Sequence, residues 1–365
     1  MKIKDLTGYL EEIAPLAYQE SYDNAGLIVG DPNREISNAL ICLDCTEAVV
    51  DEAIENQFDI IIAHHPIVFK GLKKLNGKNY VERVVIKAIK HDIAIYAIHT
   101  NLDHVHVGVS KRICDRLSLI NTRVLAPKTG LLKKLVTFVP NEHKEQVKQA
   151  LFTAGAGQIG DYEECSYETN GLGNFKAKDG ASPYVGNIGT RHTEEEKRIE
   201  VIFPSYLERK LVNTLINSHP YEEPAFDIYA LGNAFSEVGA GMVGELPQEM
   251  DALEFLHSLK QKMNAQVIRH TPLLEKPIRK VAVCGGAGSF LLKDAIRAGA
   301  DVYVSADFKY HEFFDAEDKI VIADIGHFES EQFTQHLLLE IIQKKFPKFA
   351  LRLTVQNTNP IKYLS

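Results

Sequence analysis

The chain has 365 residues, of which 45% are hydrophobic and 25% charged, with a formal net charge of −8. That length predicts about two or three folding units. The acidic balance argues against nucleic acid as a partner, since a general nucleic-acid binder carries a basic excess. The first fifteen residues, MKIKDLTGYLEEIAP, place leucines and Ile13 at helical spacing with acids between them, which is not a signal peptide. No run approaches the roughly 20 apolar residues of a membrane span. A cytoplasmic protein with no membrane partner is expected.

The next hundred residues alternate strand and helix patterns. NALICLD reads as a buried strand, TEAVVDEAIENQ as a capped helix, FDIIIAHH as a strand, YVERVVIKAIKHD as a helix, IAIYAIHT as a strand and VSKRICDRLSL as a helix. Strands apolar on both faces, separated by helices, imply a mostly parallel sheet covered on both sides. Cys42-Leu43-Asp44-Cys45 matches C-x-x-C, but it lies where a strand runs into a turn, not at a helix N-terminus that would favour thiolate. No second C-x-x-C completes a zinc site, and an odd five cysteines make no disulfide framework.

The middle of the chain changes character. LVTFVP alternates with period two, EHKEQVKQALFTAG is an amphipathic helix, and YETNGLGNF and ASPYVGNIGT look like hairpin or loop material. RIEVIFP, YLERKLVNTLINS and AFDIYAL then complete a β-α-(loop/β)-β-α-β order, that of a small ferredoxin-like unit. Beyond it KVAVCGG, a helix over 289–298, DVYVSAD, KIVIADIG, the helix SEQFTQHLLLEIIQKK and ALRLTVQ resume the α/β habit. The fold class predicted is therefore α/β: one discontinuous three-layer α/β domain, residues 1–127 and 233–365, with an inserted ferredoxin-like α+β domain, residues 128–232.

Open α/β sheets place their sites at strand C-termini. One strand ends His64-His65-Pro66, the next runs into His99 and Asp103, and VIADIGHFESEQ supplies His327 and, four residues on, Glu331. A helix starting at His327 would put both side chains on one face. These ends converge if both flanks share one sheet. Each histidine alone reads as a satisfied polar residue, but adjacent histidines at a buried strand end need partners. Three imidazoles and two carboxylates exceed what one catalytic ion takes, usually three protein ligands and an open position. They suit two ions about 3.5–4 Å apart, with Asp103 as the expected bridge. His104, His106, His143 and His192 read as surface residues.

These segments resemble the Nif-three-like family, whose bacterial members are described as GTP cyclohydrolase 1 type 2 homologues. The resemblance rests on SYDNAGLIVGD, IIAHHPIVFKGLKKL, AIHTNLDHVHVGV, SADFKYHEFFDA and DIGHFESEQ, in order along the chain. It implies a two-metal centre carried by His64, His65, Asp103, His327 and Glu331, with zinc first and iron or manganese as alternatives. It also implies a homohexamer enclosing a cavity. SHPYEEPAFDIYAL, with the preceding strand and helix, resembles the insert of the longer bacterial members, which is similar to P-two and CutA-like domains.

His99, Asp307, Lys309 and His311 are candidates to act around the metal ligands. Lys70, Lys73 and Lys74 would face a small anionic or nucleotide ligand if they are not simply a solvated loop. VCGGAGSF has the strand–glycine–helix shape of a phosphate cradle, but lacks the full fingerprint, and tight packing explains it as well. The function expected is that of a metal-dependent hydrolase acting through a metal-bridging water, of cyclohydrolase, phosphoester or amide type. The alternative is a non-catalytic hexameric metal-binding scaffold or regulatory protein.

Overall fold

The computed structural model describes residues 1–364. The chain divides into two compact units, Met1–Ala126 with Glu237–Ser365, and Pro127–Ser236. The first flank supplies strands β1 Gly26–Val29, β2 Asn38–Asp44, β3 Ile60–His65, β4 Ala94–Ala97 and β5 Ile120–Thr129. The middle supplies β6 Leu132–Pro140, β7 Ser166–Lys176, β8 Arg191–Pro204 and β9 Phe226–Ala230. The remainder supplies β10 Ala234–Met250, β11 Arg269–His270, β12 Ile278–Ala287, β13 Val302–Ala306, β14 Val321–Asp324 and β15 Ala350–Leu353.

The larger unit is α/β, but its flanks do not share one sheet. One sheet has the order β1-β4-β3-β2-β15 and a second the order β11-β14-β13-β12-β10-β5. In the first, β4, β3, β2 and β15 run parallel and β1 joins antiparallel. In the second, β12, β13 and β14 run parallel, with β10 and β11 antiparallel at either side. The flanks are tied by exchange: β15 from the C-terminus completes the first sheet and β5 from the N-terminal half completes the second. The helix Val109–Leu117 packs on β12, the helix Thr334–Lys345 packs on β2 and β15, and the two helices touch. A helical layer therefore lies between the sheets, where the sequence had suggested three layers around one.

Local chemistry accounts for these elements. The helix Glu47–Glu55 starts where the Thr46 hydroxyl accepts the Val49 N–H, and the helix Tyr80–Lys90 where Asn79 accepts that of Glu82. Their apolar faces bury Val49, Val50, Val84 and Ala88 against Leu40, Ile61 and Ile95 of the first sheet. Ile60, Ile61, Ile62 and Ala63 are all fully buried, so β3 is covered on both faces up to the histidines that end it.

The smaller unit is an antiparallel sheet of order β7-β8-β6-β9. Val147, Leu151, Leu211 and Leu215 from its two helices, Lys144–Thr153 and Glu208–Ser218, pack on Leu135, Ile199, Val201 and Phe203. YETNGLGNF, read as hairpin or loop material, is regular strand within β7. Its glycines lower intrinsic strand preference, and eleven consecutive pairings with β8 override it.

Candidate metal centre

At the C-terminal end of β3, register places Asp44 of β2 directly beside His65. Asp44 Oδ1 lies 2.8 Å from His65 Nδ1. His64, fully buried, has its Nδ1 2.8 Å from the Ile98 carbonyl. His327 opens the short helix His327–Glu331 in the other sheet's loop, with its Nδ1 2.6 Å from Asp307 Oδ2. Each ring is thus anchored through Nδ1, which fixes the tautomer and presents Nε2 inward.

The three Nε2 atoms surround Glu331, whose side chain is only 3% exposed. Its Oε2 is 2.9 Å from His65 Nε2 and 3.1 Å from His327 Nε2, and its Oε1 is 3.9 Å from His64 Nε2. Asp103 Oδ1 approaches His64 Nε2 at 3.7 Å. Both His64 Nε2 and Asp103 Oδ1 are buried without a hydrogen-bond partner. Leaving such atoms unpaired is costly, and a cation between them would satisfy both. Ligand atoms of His64, His65 and Glu331 lie within 4.8 Å of one another. Imidazole and carboxylate together form a donor set suited to a divalent cation, so these residues fit one.

The electrostatics agree. Burial works against charge on His65 and His327, yet Glu331, with Asp44 and Asp307, pushes these rings up to about 10 and about 11. Burial would raise Glu331, but His327 and His65 hold its carboxyl well below the usual range. Burial, with the Glu331 charge added, pushes Asp103 up to about 7. Protons on two imidazoles supply the positive charge that this cluster of carboxylates demands.

The family model for Duf34/NIF3 (NGG1p interacting factor 3) matches residues 1–360. The chain belongs to the Duf34/NIF3 family. It is 41% identical over 364 residues to the GTP cyclohydrolase 1 type 2 homolog of Bacillus subtilis, covering 97% of this chain and 96% of that one. The crystal structure of a Bacillus cereus protein related to NIF3 superposes with a TM-score of 0.86 at 37% identity, covering 100% of this chain and 99% of that one. A Staphylococcus aureus protein superposes with a TM-score of 0.79 at 30% identity, with the same coverage.

Of the five candidate ligands in this NIF3-family chain, the carboxylate that reaches all three histidines is Glu331; Asp103, the expected bridge, meets His64 alone within 4 Å. The helix places Glu331 one turn beyond His327, whereas Asp103 ends a separate single turn, Thr100–Asp103. His99 is at the centre, its ring 5.4 Å from that of His64 and 5.3 Å from that of His65, with Nδ1 2.7 Å from Asp23 Oδ1. Asp307 holds His327. Lys309 and His311 sit on the exposed stretch around the 3-10 helix Tyr310–Ala316, where the His311 ring stacks on Phe314. No hydrogen bond or ion pair joins either to the five candidate ligands among the described residues. Lys70, Lys73 and Lys74 are exposed on the loop after β3. His104 is buried, not superficial, with Nδ1 2.8 Å from the Tyr18 carbonyl.

Sequence reasoning missed Asp44 and Asp23, and of its two readings of VCGGAGSF the structure shows the tight packing, at Gly286. Asp44 was hidden inside the C-x-x-C match, whose two cysteines are buried with their thiols pushed up by burial, that of Cys45 to about 12. Its position at the end of the neighbouring parallel strand was the available signal. Asp23 accepts from Thr100 and is held down to about 2 despite burial, by His99 and Thr100. Gly286, in VCGGAGSF, has φ +64, and a Cβ there would run into Glu331 Oε1. The glycines make room for the helix that carries Glu331; Gly286 N–H donates to Ser330 at 2.9 Å.

Proposed function

We propose that this centre binds two divalent cations, zinc first with iron or manganese as alternatives, and that the protein is a metal-dependent hydrolase. The observation that carries this is the division of Glu331: one oxygen faces His65 and His327, the other faces His64, which Asp103 flanks. His65, His327 and Oε2 would hold one ion, and His64, Asp103 and Oε1 the second. A bound pair lowers the pKa of water and polarises the bond under attack.

The chain's own contribution is positional. Asp44, the Ile98 carbonyl and Asp307 keep the three rings facing inward, and Asp23 fixes His99, the remaining imidazole, as the group that moves a proton. Relatives named GTP cyclohydrolase 1 type 2 homolog support a ring-opening hydrolysis; phosphoester and amide cleavage suit the same ligands. Lys70, Lys73 and Lys74 would attract a small anionic or nucleotide substrate. A homohexamer in the cytoplasm completes the proposal, and light scattering after gel filtration tests the assembly.

Elemental analysis with an anomalous-scattering map should find two ions per chain on these five residues. Turnover of nucleotide, phosphoester and amide panels should be lost in Asp103→Ala while the assembly survives. Two ions with no turnover on any panel would leave the non-catalytic metal-binding scaffold; no ions would end both readings.

A further inference from the structure

Three motifs that the hydrolase proposal leaves unused meet within the smaller unit. YETNGLGNF, ASPYVGNIGT and SHPYEEPAFDIYAL all contribute to a cavity of about 750 Å³, within the range of small-molecule sites. Glu196 of β8 lines it and is only 7% exposed. Its Oε1 accepts the Tyr221 hydroxyl at 2.8 Å. No other hydrogen bond and no ion pair reaches this carboxylate among the described residues. Two residues away on the same face of β8, Glu194 pairs with His192 at 2.7 Å, and Arg198, which also lines the cavity, pairs with Glu200 at 2.9 Å.

An ionised carboxylate offers about four acceptor positions, and burying one without a cationic partner is costly. Glu196 has one neutral donor. The carboxylate can lie against β7, at the wall of the cavity, because that strand carries glycine at 173. A Cβ on Gly173 would lie 2.6 Å from Glu196 Cδ and run into Oε2. Around the opening stand aromatic rings, with Phe175 6.0 Å and Tyr184 6.2 Å from Tyr221. Aromatic faces attract cations, and rings with a carboxylate at the floor form a cage for charged nitrogen.

We propose that this cavity binds a small organic cation, an amine or quaternary ammonium, with its nitrogen against Glu196 and its alkyl groups among Phe175, Tyr184 and Tyr221. A bare metal ion fits less well, because hard cations take several oxygen ligands. The other acids lining the cavity, Glu222 and Glu223, are exposed, and Glu222 already accepts the Ser182 N–H at 2.9 Å. Lys176 and Lys178 also line it but are exposed and make no ion pair with Glu196.

The test is calorimetric titration of the full-length protein, in EDTA, with choline, phenethylamine and agmatine, and with 3,3-dimethyl-1-butanol as the neutral isostere of choline. At least one cation should bind at millimolar concentration or better, and 3,3-dimethyl-1-butanol at least tenfold more weakly than choline if choline is that cation. Glu196→Gln, which keeps the shape, should weaken binding at least tenfold, and Gly173→Ala should weaken it by pushing the carboxylate out of place. Asp103→Ala, in the other unit, should leave it unchanged. Circular dichroism and the melting temperature check that each variant folds. The proposal is overturned if none of the three cations binds at 10 mM, if Glu196→Gln binds as the parent does, or if, in buffer without EDTA, calcium or zinc shows binding that Glu196→Gln abolishes and that is tighter than that of any amine.

Discussion

The buried carboxylate of Glu331 meets His65 Nε2 at 2.9 Å, although 266 residues separate them in the chain. It serves His327 and His64 as well, so it is the member whose loss should be felt most. Glu331→Gln keeps the shape and removes the charge. Metal retention, measured by elemental analysis after dialysis, should fall by more than the roughly 10–100-fold typical of outer partners. The metal-free protein should lose about 3 kcal/mol or somewhat less in urea unfolding, since a buried pair is broken but His327 is 37% exposed and screened.

Asp44 and Asp307 should act on metal without touching it. Each carboxylate holds one ring by Nδ1, at 2.8 Å to His65 and 2.6 Å to His327. Asn at either position keeps a hydrogen-bond partner but drops the charge that raises ligand basicity. Each single variant should weaken metal affinity about 10- to 100-fold, read by competition with a chromogenic chelator. Unchanged affinity in both would mean the rings are positioned by packing alone.

How far the sequence revealed this centre depends on which link is asked for. The alternation of apolar strands and capped helices announces α/β structure because both period and caps are local. His64 and His65 were legible as strand-end residues, Asp103 as a loop residue, and His327 and Glu331 as one face of a short helix. That the two flanks form two sheets was not legible, because β5 and β10 are long strands rich in exposed or glycine positions, without a clean alternation. The exchange of β5 and β15 between flanks is a long-range choice that no local pattern encodes. The role of Asp44 depended on the β2–β3 register, and that of Gly286 on a clash visible only once the helix bearing Glu331 is in place.

The pH dependence should have opposite signs with and without metal. In the metal-free protein His65 and His327 are raised to about 10 and about 11 by Glu331 and their anchoring carboxylates. A raised histidine stabilises the fold fully below its unfolded value, about 6.5, and that contribution fades as pH climbs through the folded values. The metal-free melting temperature should therefore fall between about pH 7 and pH 10. Metal requires neutral rings, so binding near pH 7 displaces roughly two protons and tightens as pH rises. Titration calorimetry in buffers of different ionisation enthalpy counts those protons; a count near zero would show that the imidazoles do not bind the ion.

Gly286 offers a test of the pocket around Glu331 that alters no ligand. Its φ of +64 makes alanine unfavourable by about 1–2 kcal/mol in the left-handed region, and the new Cβ would collide with Glu331 Oε1 and lie 3.3 Å from His327 Cε1. Gly299 is the matched control: its φ is +71, but a Cβ there has nothing within 4 Å. Both alanine variants should lose similar stability through the backbone. Gly286→Ala alone should also lose metal, because Glu331 must move to admit the methyl group. If elemental analysis finds the two variants equally loaded, the glycine serves only the turn, and the close fit between VCGGAGSF and the helix His327–Glu331 has no bearing on metal retention.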